Sequence, residues 1–178
     1  MNKENVIYTF CIKHDKDKLL KESSAVRYNA INEKNLERYR RLGFIGKNDS
    51  ISYDVEDKEW FNNQRDWKIS SKVDDSPNTE SNRLHEIFKD ILNVDNLEPR
   101  FLTQKQGTNA HYHIDGETKC AINFLVRGGQ TPISFKDVGE FYYDVALINA
   151  NHLHAVPVQK DIDRVLFKLR INQMTFNE

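Results

Sequence analysis

The chain has 178 residues with 26 basic and 27 acidic side chains, a formal net charge of -1 and two cysteines. The even mixture of charges leaves no basic stripe and argues against a nucleic-acid partner. Two cysteines without CxxC spacing exclude a disulfide framework, and no apolar run reaches the roughly 20 residues that span a bilayer.

These exclusions predict a cytoplasmic protein without a membrane partner. The length suits one domain with a substantial core, so we expect a single domain over residues 1–178. The many Lys, Asn and Ile residues indicate an AT-rich microbial or viral genome, so the chain could be virus-encoded. The oligomeric state is not readable from the sequence.

The first part of the chain, residues 1–98, is predicted to supply an N-terminal strand and supporting helices. The strand is expected at Val6–Ile12, where β-branched and aromatic residues are concentrated. A short helix is predicted over Glu33–Leu42, and a longer one over Ser76–Asn93 with one apolar face that packs on a sheet. Between them, Lys47–Asp75 is polar with three large aromatics, which anchor the segment to the core or line a substrate pocket.

Residues 99–178 show short β-forming runs separated by glycine- and aspartate-containing breaks, without helical patterns between them. This spacing is typical of an antiparallel sandwich or barrel. We therefore predict a mainly β fold with flanking helices, a double-stranded β-helix (jelly roll, cupin-like) whose metal-binding core is residues 99–178. The predicted strands are Arg100–Gln104, Ala110–Ile114, Cys120–Val126, Gln130–Phe135, Phe141–Ile148, His154–Val158 and Arg164–Ile171.

Two histidine clusters stand out within this core. His113 and Asp115 are alternate residues at the end of a predicted strand, so they project to one side. A second cluster contains His152 and His154. Two imidazoles and a carboxylate on one face of a metal form the facial triad that suits non-haem Fe(II). We assign His154 to this set because Arg164 follows it by ten residues.

The pattern HxD…H followed by Arg resembles the Fe(II)- and 2-oxoglutarate-dependent oxygenase superfamily, in its prolyl-hydroxylase-like or aspartyl/asparaginyl-hydroxylase-like branch. The resemblance covers residues 100–171 and implies His113, Asp115 and His154 as catalytic iron ligands. It implies that Arg164 pairs with the far carboxylate of 2-oxoglutarate, for which a planar guanidinium is well suited. The implied activity is a dioxygenase that uses Fe(II), 2-oxoglutarate and O2, hydroxylates a substrate, and releases succinate and CO2.

Two further residues are candidates for cosubstrate binding. Prolyl-hydroxylase-like members carry a Tyr nine residues before the HxD histidine, and Gln104 stands at that position here, followed by Gly107 at the family's glycine position. The Gln104 amide can hydrogen-bond a carboxylate. Asn123, flanked by apolar residues on a predicted strand, needs partners if it is buried, and a cosubstrate would provide them. Structural hydrogen bonding is an equal alternative for both residues.

Other interpretations of the sequence remain open. His111, His113 and Glu117 form HxHxxxE, which resembles the first metal motif of cupins, so a cupin-type metal enzyme is one alternative. A non-catalytic jelly-roll binding module is another. Whether His111 or His152 takes part in the site is undecided. The primary substrate is not readable, and a small molecule, an amino acid or a peptide side chain would all fit a small single domain.

Overall fold

The computed structural model describes most of the core that the sequence predicts. The predicted helix Glu33–Leu42 and nearly all of the polar segment Lys47–Asp75 lie outside the described residues. The structure describes residues 3–30, 67–70, 73, 76–115, 118–128, 131–159 and 162–178.

Within these residues the chain forms eleven strands and two α-helices, after a short 3-10 turn at Lys3–Asn5. The helices are α1 (Lys16–Ala25) and α2 (Glu80–Leu92). The strands are β1 (Ile7–Thr9), β2 (Tyr28–Ala30), β3 (Trp67–Ser70), β4 (Leu97–Gln104), β5 (Ala110–His113), β6 (Cys120–Arg127), β7 (Ile133–Phe135), β8 (Gly139–Phe141), β9 (Val145–Asn149), β10 (His154–Val156) and β11 (Arg164–Ile171).

The strands form two antiparallel sheets that face each other. The larger sheet has the order β1-β9-β6-β11-β4-β3-β2, and the smaller has the order β5-β10-β7-β8. Along the chain, β4 to β11 alternate between the sheets except at the β7–β8 hairpin. This winding is that of a double-stranded β-helix, so the predicted fold class, mainly β with flanking helices, is confirmed.

Strand β11 lies at the centre of the larger sheet, paired along its whole length with β4 and along most of it with β6. Its odd-numbered residues, such as Phe167, pack into the core beneath the helices. Its even-numbered residues face the smaller sheet, where Leu166 packs with Phe135. Arg164 and Lys168 therefore point into the interior between the two sheets, because alternate strand residues share a face.

The helices cover the outer face of the larger sheet, as expected. Helix α2 begins at Glu80, later than predicted, because the side chain of Thr79 caps it by accepting from the Asn82 amide. Helix α1 was not predicted: Asp15 caps it, but its apolar face is narrow. Its Leu19 is completely buried in the core. No helix among the described residues combines the length and apolarity needed to cross a membrane.

One strand prediction was wrong. The run Phe141–Ile148 is not a single strand, because β8 ends at Phe141 in the smaller sheet and β9 begins at Val145 in the larger one. The chain crosses between the sheets through the three residues Tyr142, Tyr143 and Asp144. Asp144, a residue type depleted in strands, marks this crossing in the sequence, but the β-forming residues on both sides of it led to the prediction of one continuous strand. The predicted strand Val6–Ile12 is also shorter, with β1 confined to Ile7–Thr9.

A glycine fixes the approach of the chain to β11. Gly128 follows β6 with φ of +84°, and a Cβ there would lie 2.8 Å from the Cα of Arg164. Gly107 has a similar φ of +82°, but no atom of the described residues lies within 4 Å of its Cβ position. The two glycines thus share the same backbone requirement and differ in steric crowding.

We predict that Gly128→Ala destabilises the protein by roughly 2–4 kcal/mol, because left-handed strain and a backbone clash add together. Gly107→Ala should cost only about 1 kcal/mol, since it carries the strain alone. Urea unfolding of both variants measures the difference. Equal losses of stability would show that the contact with Arg164 is relaxed without cost.

Candidate metal centre and polar pocket

The end of β5 and the start of β10 bring the predicted metal ligands together. His154 opens β10 and lies directly opposite His113 in the antiparallel pairing. Asp115 follows β5, and its backbone amide donates to the carbonyl of Ala150 at 3.0 Å, which holds the chain beside the turn before β10. The smaller sheet therefore supplies all three side chains from adjacent segments.

The three side chains converge on one point. Asp115 Oδ1 lies 3.4 Å from His113 Nε2 and 3.7 Å from His154 Nε2, and one donor atom from each residue lies within 4.8 Å of the other two. Ligands at neighbouring positions of a metal with bonds of about 2.1 Å lie roughly 3 Å apart. A small contraction of this cluster would therefore place three ligands on one face of an ion. Within the described ranges, no other group of His, Cys, Asp and Glu shows this geometry.

The tautomer of His154 suits metal binding. Its Nδ1 lies 2.9 Å from the carbonyl oxygen of His152, which can only accept, so Nδ1 carries the hydrogen. The lone pair of Nε2 then faces the cluster. Burial and the neighbouring His113 lower the pKa of the His154 imidazole to about 3, so the ring is neutral at neutral pH. A neutral imidazole with a hydrogen-bonded second nitrogen is the form in which histidine binds metals.

The carboxylate of Asp115 has an additional partner that sequence reasoning missed. The ammonium of Lys168 donates to Asp115 Oδ2, and Lys168 is only 6% exposed. Burial raises the pKa of the Asp115 carboxyl, but the Lys168 charge and the His113 hydrogen bond outweigh burial and hold that pKa well below its usual range. Asp115 is therefore ionised, with Oδ1 facing the imidazoles.

A sequence signal for Lys168 was present. Lys168 and Arg164 are four residues apart on a strand, so both project from the same face, separated by about 13 Å along the backbone. A second cation on the face that carries Arg164 is unusual in the centre of a buried sheet. Its partner was not readable, because Asp115 lies on a distant segment of the other sheet.

Arg164 is buried, not placed at the surface edge of its strand. It is 1% exposed, and its Nη2 donates to the hydroxyl of Tyr143 at 3.0 Å. The amide of Asn123 donates to the same hydroxyl at 3.2 Å. Tyr143 was not predicted as a site residue, and it reaches this position because it lies at the crossing from β8 to β9. A hydroxyl that accepts twice has its own hydrogen left to donate.

Gln104 lies beside Arg164, because the two residues are paired across β4 and β11. Its side-chain nitrogen donates to the carbonyl of Thr108 at 2.7 Å, which leaves its Oε1 facing the interior. The backbone amide of Gln159 donates to the same carbonyl at 2.9 Å. Gln159 is fully buried and was also missed, because nothing in its local sequence distinguishes it from a surface loop residue.

The buried interior around Arg164, Tyr143, Asn123, Gln104 and Gln159 is called the polar pocket. Several buried polar atoms of this polar pocket have no hydrogen-bonding partner within the described part of the chain. They are Nε and Nη1 of Arg164, Oε1 of Gln104, Oδ1 of Asn123, and both amide atoms of Gln159. Buried polar groups are normally paired, and a buried guanidinium without a carboxylate is costly. Three of these atoms are donors, namely Arg164 Nε and Nη1 and Gln159 Nε2, and the unpartnered guanidinium donors fit a carboxylate.

Other sequence candidates are placed differently. The ring of His152 lies 3.1 Å from the carbonyl of Lys136 instead of joining the cluster, and only its backbone oxygen contacts His154. His111 lies on β5, but its side chain is outside the described part, as is Glu117. The cupin-type set of His111, His113 and Glu117 therefore remains a prediction.

Comparisons with known proteins found distant structural neighbours and no sequence match. No protein-family model matches the sequence, and no curated protein matches it. Among solved structures, a Pseudomonas putida prolyl-4-hydroxylase is 11% identical over 89% of this chain and 99% of its own, with a TM-score of 0.48. The viral collagen prolyl hydroxylase of Paramecium Bursaria Chlorella virus-1 is 11% identical over 83% of this chain and 96% of its own, with a TM-score of 0.47.

A cupin is also among the structural neighbours. An RmlC-like cupin protein of Ralstonia eutropha is 11% identical over 93% of this chain and 69% of its own, with a TM-score of 0.42. At 11% identity and TM-scores below 0.5, these likenesses assign no activity to this chain. Its chemistry has to be argued from the residues of the site.

We predict that a divalent metal at about 100 times its Kd raises the stability of the wild type by about 2.7 kcal/mol, or roughly 5–10 °C in Tm. His154→Ala should abolish this shift by removing a ligand. His152→Ala should retain it, because the ring lies outside the cluster and the backbone carbonyl remains. Thermal unfolding with Mn(II) and with chelator makes the comparison. An equal shift in all three proteins would place the metal elsewhere.

Proposed function

We propose that the chain is a non-haem Fe(II)- and 2-oxoglutarate-dependent dioxygenase that hydroxylates its substrate. The observation that carries the proposal is the buried Arg164, whose guanidinium has unpartnered donors in the same interior as the metal cluster. A structural metal site or a cupin-type centre does not require such a cation. A cosubstrate with a metal-chelating end and a distal carboxylate does require one.

His113, Asp115 and His154 would hold the metal, and three ligands on one face leave positions for other molecules. When bound, Fe(II) with 2-oxoglutarate and O2 supplies the oxidising chemistry that splits the cosubstrate into succinate and CO2. The protein's own residues would orient the bound groups and exclude water from them. The carbonyl of His152 fixes the His154 ring, and the Lys168 ammonium holds the Asp115 carboxylate.

The polar pocket would receive the far carboxylate of 2-oxoglutarate. The planar guanidinium of Arg164 can form two parallel charge-assisted bonds to it. The hydroxyl of Tyr143 accepts from Arg164 and Asn123, so its hydrogen is available for a carboxylate oxygen. In this arrangement Asn123 positions Tyr143. Gln104 and Gln159 would contribute amide groups to the wall, where the related enzymes use a tyrosine at the Gln104 position.

We further propose that the primary substrate is a small molecule, an amino acid or a peptide side chain. The segment Lys136–Tyr143 contains the turn of the β7–β8 hairpin and strand β8, and it directly follows Phe135, whose ring centre lies 5.9 Å from that of His154. This hairpin and the segment Lys47–Asp75 are the proposed selectors of that substrate.

The proposal is tested by anaerobic titration with Fe(II) and then 2-oxoglutarate, recording the visible absorption band of a chelated 2-oxoacid. We expect the band in the wild type, and we expect Arg164→Ala to need about 100-fold more 2-oxoglutarate, since a buried charged pair is lost. The matched control is Arg170→Ala on the same strand, whose side chain contacts Glu98 and Thr118 instead of the pocket.

Each outcome of this titration has a defined meaning. If metal binds and no band develops, the cupin-type reading replaces the proposal. If no metal binds, the chain is a non-catalytic binding module. If Arg164→Ala binds 2-oxoglutarate as tightly as the wild type does, the distal pocket is assigned to the wrong residues.

A second variant tests the contribution of the Tyr143 hydroxyl. Tyr143→Phe removes a donor to the carboxylate and should weaken 2-oxoglutarate binding roughly tenfold or more, because one hydrogen bond to a charged group is lost. The adjacent Tyr142 is 64% exposed, so Tyr142→Phe should bind 2-oxoglutarate like the wild type. The same band, titrated with 2-oxoglutarate at fixed Fe(II), gives both affinities. Similar affinities in the two variants would remove Tyr143 from the pocket.

A further inference from the structure

We propose that Lys168 is an internal counter-charge that keeps divalent-metal affinity low until an anionic cosubstrate also binds. The inference rests on the proposed function and gives Lys168 a second role besides holding the Asp115 carboxylate. Lys168 touches a metal ligand and not the reacting atoms, so it is a positioning residue.

The charges around the site carry this inference. Three ionised side chains contact the metal cluster or line the polar pocket among the described residues: Asp115, Lys168 and Arg164. They leave an excess of one positive charge before any metal is added. A divalent ion bound to Asp115 Oδ1 would lie only a few ångströms from the ammonium that holds Oδ2. The positive charge already present in the site therefore opposes binding of the metal.

The repulsion outweighs the benefit of an oriented carboxylate. An effective dielectric constant of about 20 describes charge interactions even at buried sites, and two charges separated by one carboxylate then interact more strongly than one hydrogen bond contributes. Lys168 therefore has two opposing effects on the metal. It presents Asp115 with Oδ1 towards the imidazoles, and it lowers the net attraction of the site for the ion. The second effect is the larger.

An anionic cosubstrate reverses the balance. 2-Oxoglutarate carries two negative charges, which the cations of the pocket attract and which neutralise the charge of the metal. Metal and cosubstrate therefore increase each other's affinity by the same factor, as linkage requires. Chelation alone gives some coupling, and Lys168 adds to it. The consequence is a site that acquires its metal efficiently only when 2-oxoglutarate is present.

The test measures Mn(II) affinity from the electron paramagnetic resonance signal of the free ion, with and without 2-oxoglutarate. Lys168→Gln removes the charge and keeps a hydrogen-bond donor for Asp115. We expect it to bind Mn(II) alone at least tenfold more tightly than the wild type, with a smaller gain from 2-oxoglutarate. Lys168→Arg keeps the charge and should behave like the wild type. Lys119→Gln removes an exposed lysine just before β6 and should change nothing.

Circular dichroism establishes that each variant is folded, and Lys168→Met provides a second neutral side chain of similar length if Lys168→Gln does not fold. Mn(II) affinity in the folded neutral variant equal to or below that of the wild type overturns the inference while leaving the proposed function intact. The same increase in Lys168→Arg also overturns it, since the charge would not be the cause. Failure of every protein to bind Mn(II), with or without 2-oxoglutarate, overturns both.

Discussion

The burial of two cations on one face of β11 is the constraint on which the site depends. A charged side chain in a protein interior needs a partner of opposite charge, because the cost of removing it from water is otherwise not recovered. Lys168 has such a partner in Asp115, which is itself drawn into the metal cluster. Arg164 has only the neutral hydroxyl of Tyr143 among the described residues. One strand thus specifies both a closed ion pair and a cation prepared for an incoming anion.

The fold makes this arrangement possible because the proposed metal ligands and the polar pocket lie on different sheets. The smaller sheet supplies the proposed metal ligands on short strands, where His113 and His154 are paired. The larger sheet, supported by the helices on its outer face, supplies the polar pocket on long central strands. The larger sheet therefore holds the two buried cations, Arg164 and Lys168. Ligands contributed from short segments are fixed instead by backbone contacts, such as the one between Asp115 and Ala150.

Local patterns in the sequence were sufficient for the fold class and for the residues of the cluster. Short β-forming runs between turn residues located most core strands, and the HxD spacing placed His113 and Asp115 on one side of a strand end. What local patterns cannot contain is contact between distant segments. Lys168 and Asp115 are 53 residues apart, and Tyr143 and Arg164 are 21 apart. The crossing at Tyr143 lies next to Asp144, but the β-forming residues on both sides were joined into one predicted strand, so the Tyr143 side chain was assigned to a strand rather than to a pocket.

The same crossing joins two surfaces of the molecule. Tyr143 turns inward to Arg164, while the next residue, Asp144, turns outward to the start of α1, where it pairs with Lys16 and lies 3.8 Å from His14. The carbonyl of Asp144 also accepts from the Leu125 amide of β6 at 2.8 Å. One peptide unit therefore ties the pocket wall to the outer helix layer. Displacement of the Tyr143 phenol by more than a small rotation would therefore also disturb the contacts that Asp144 makes with β6 and with the start of α1.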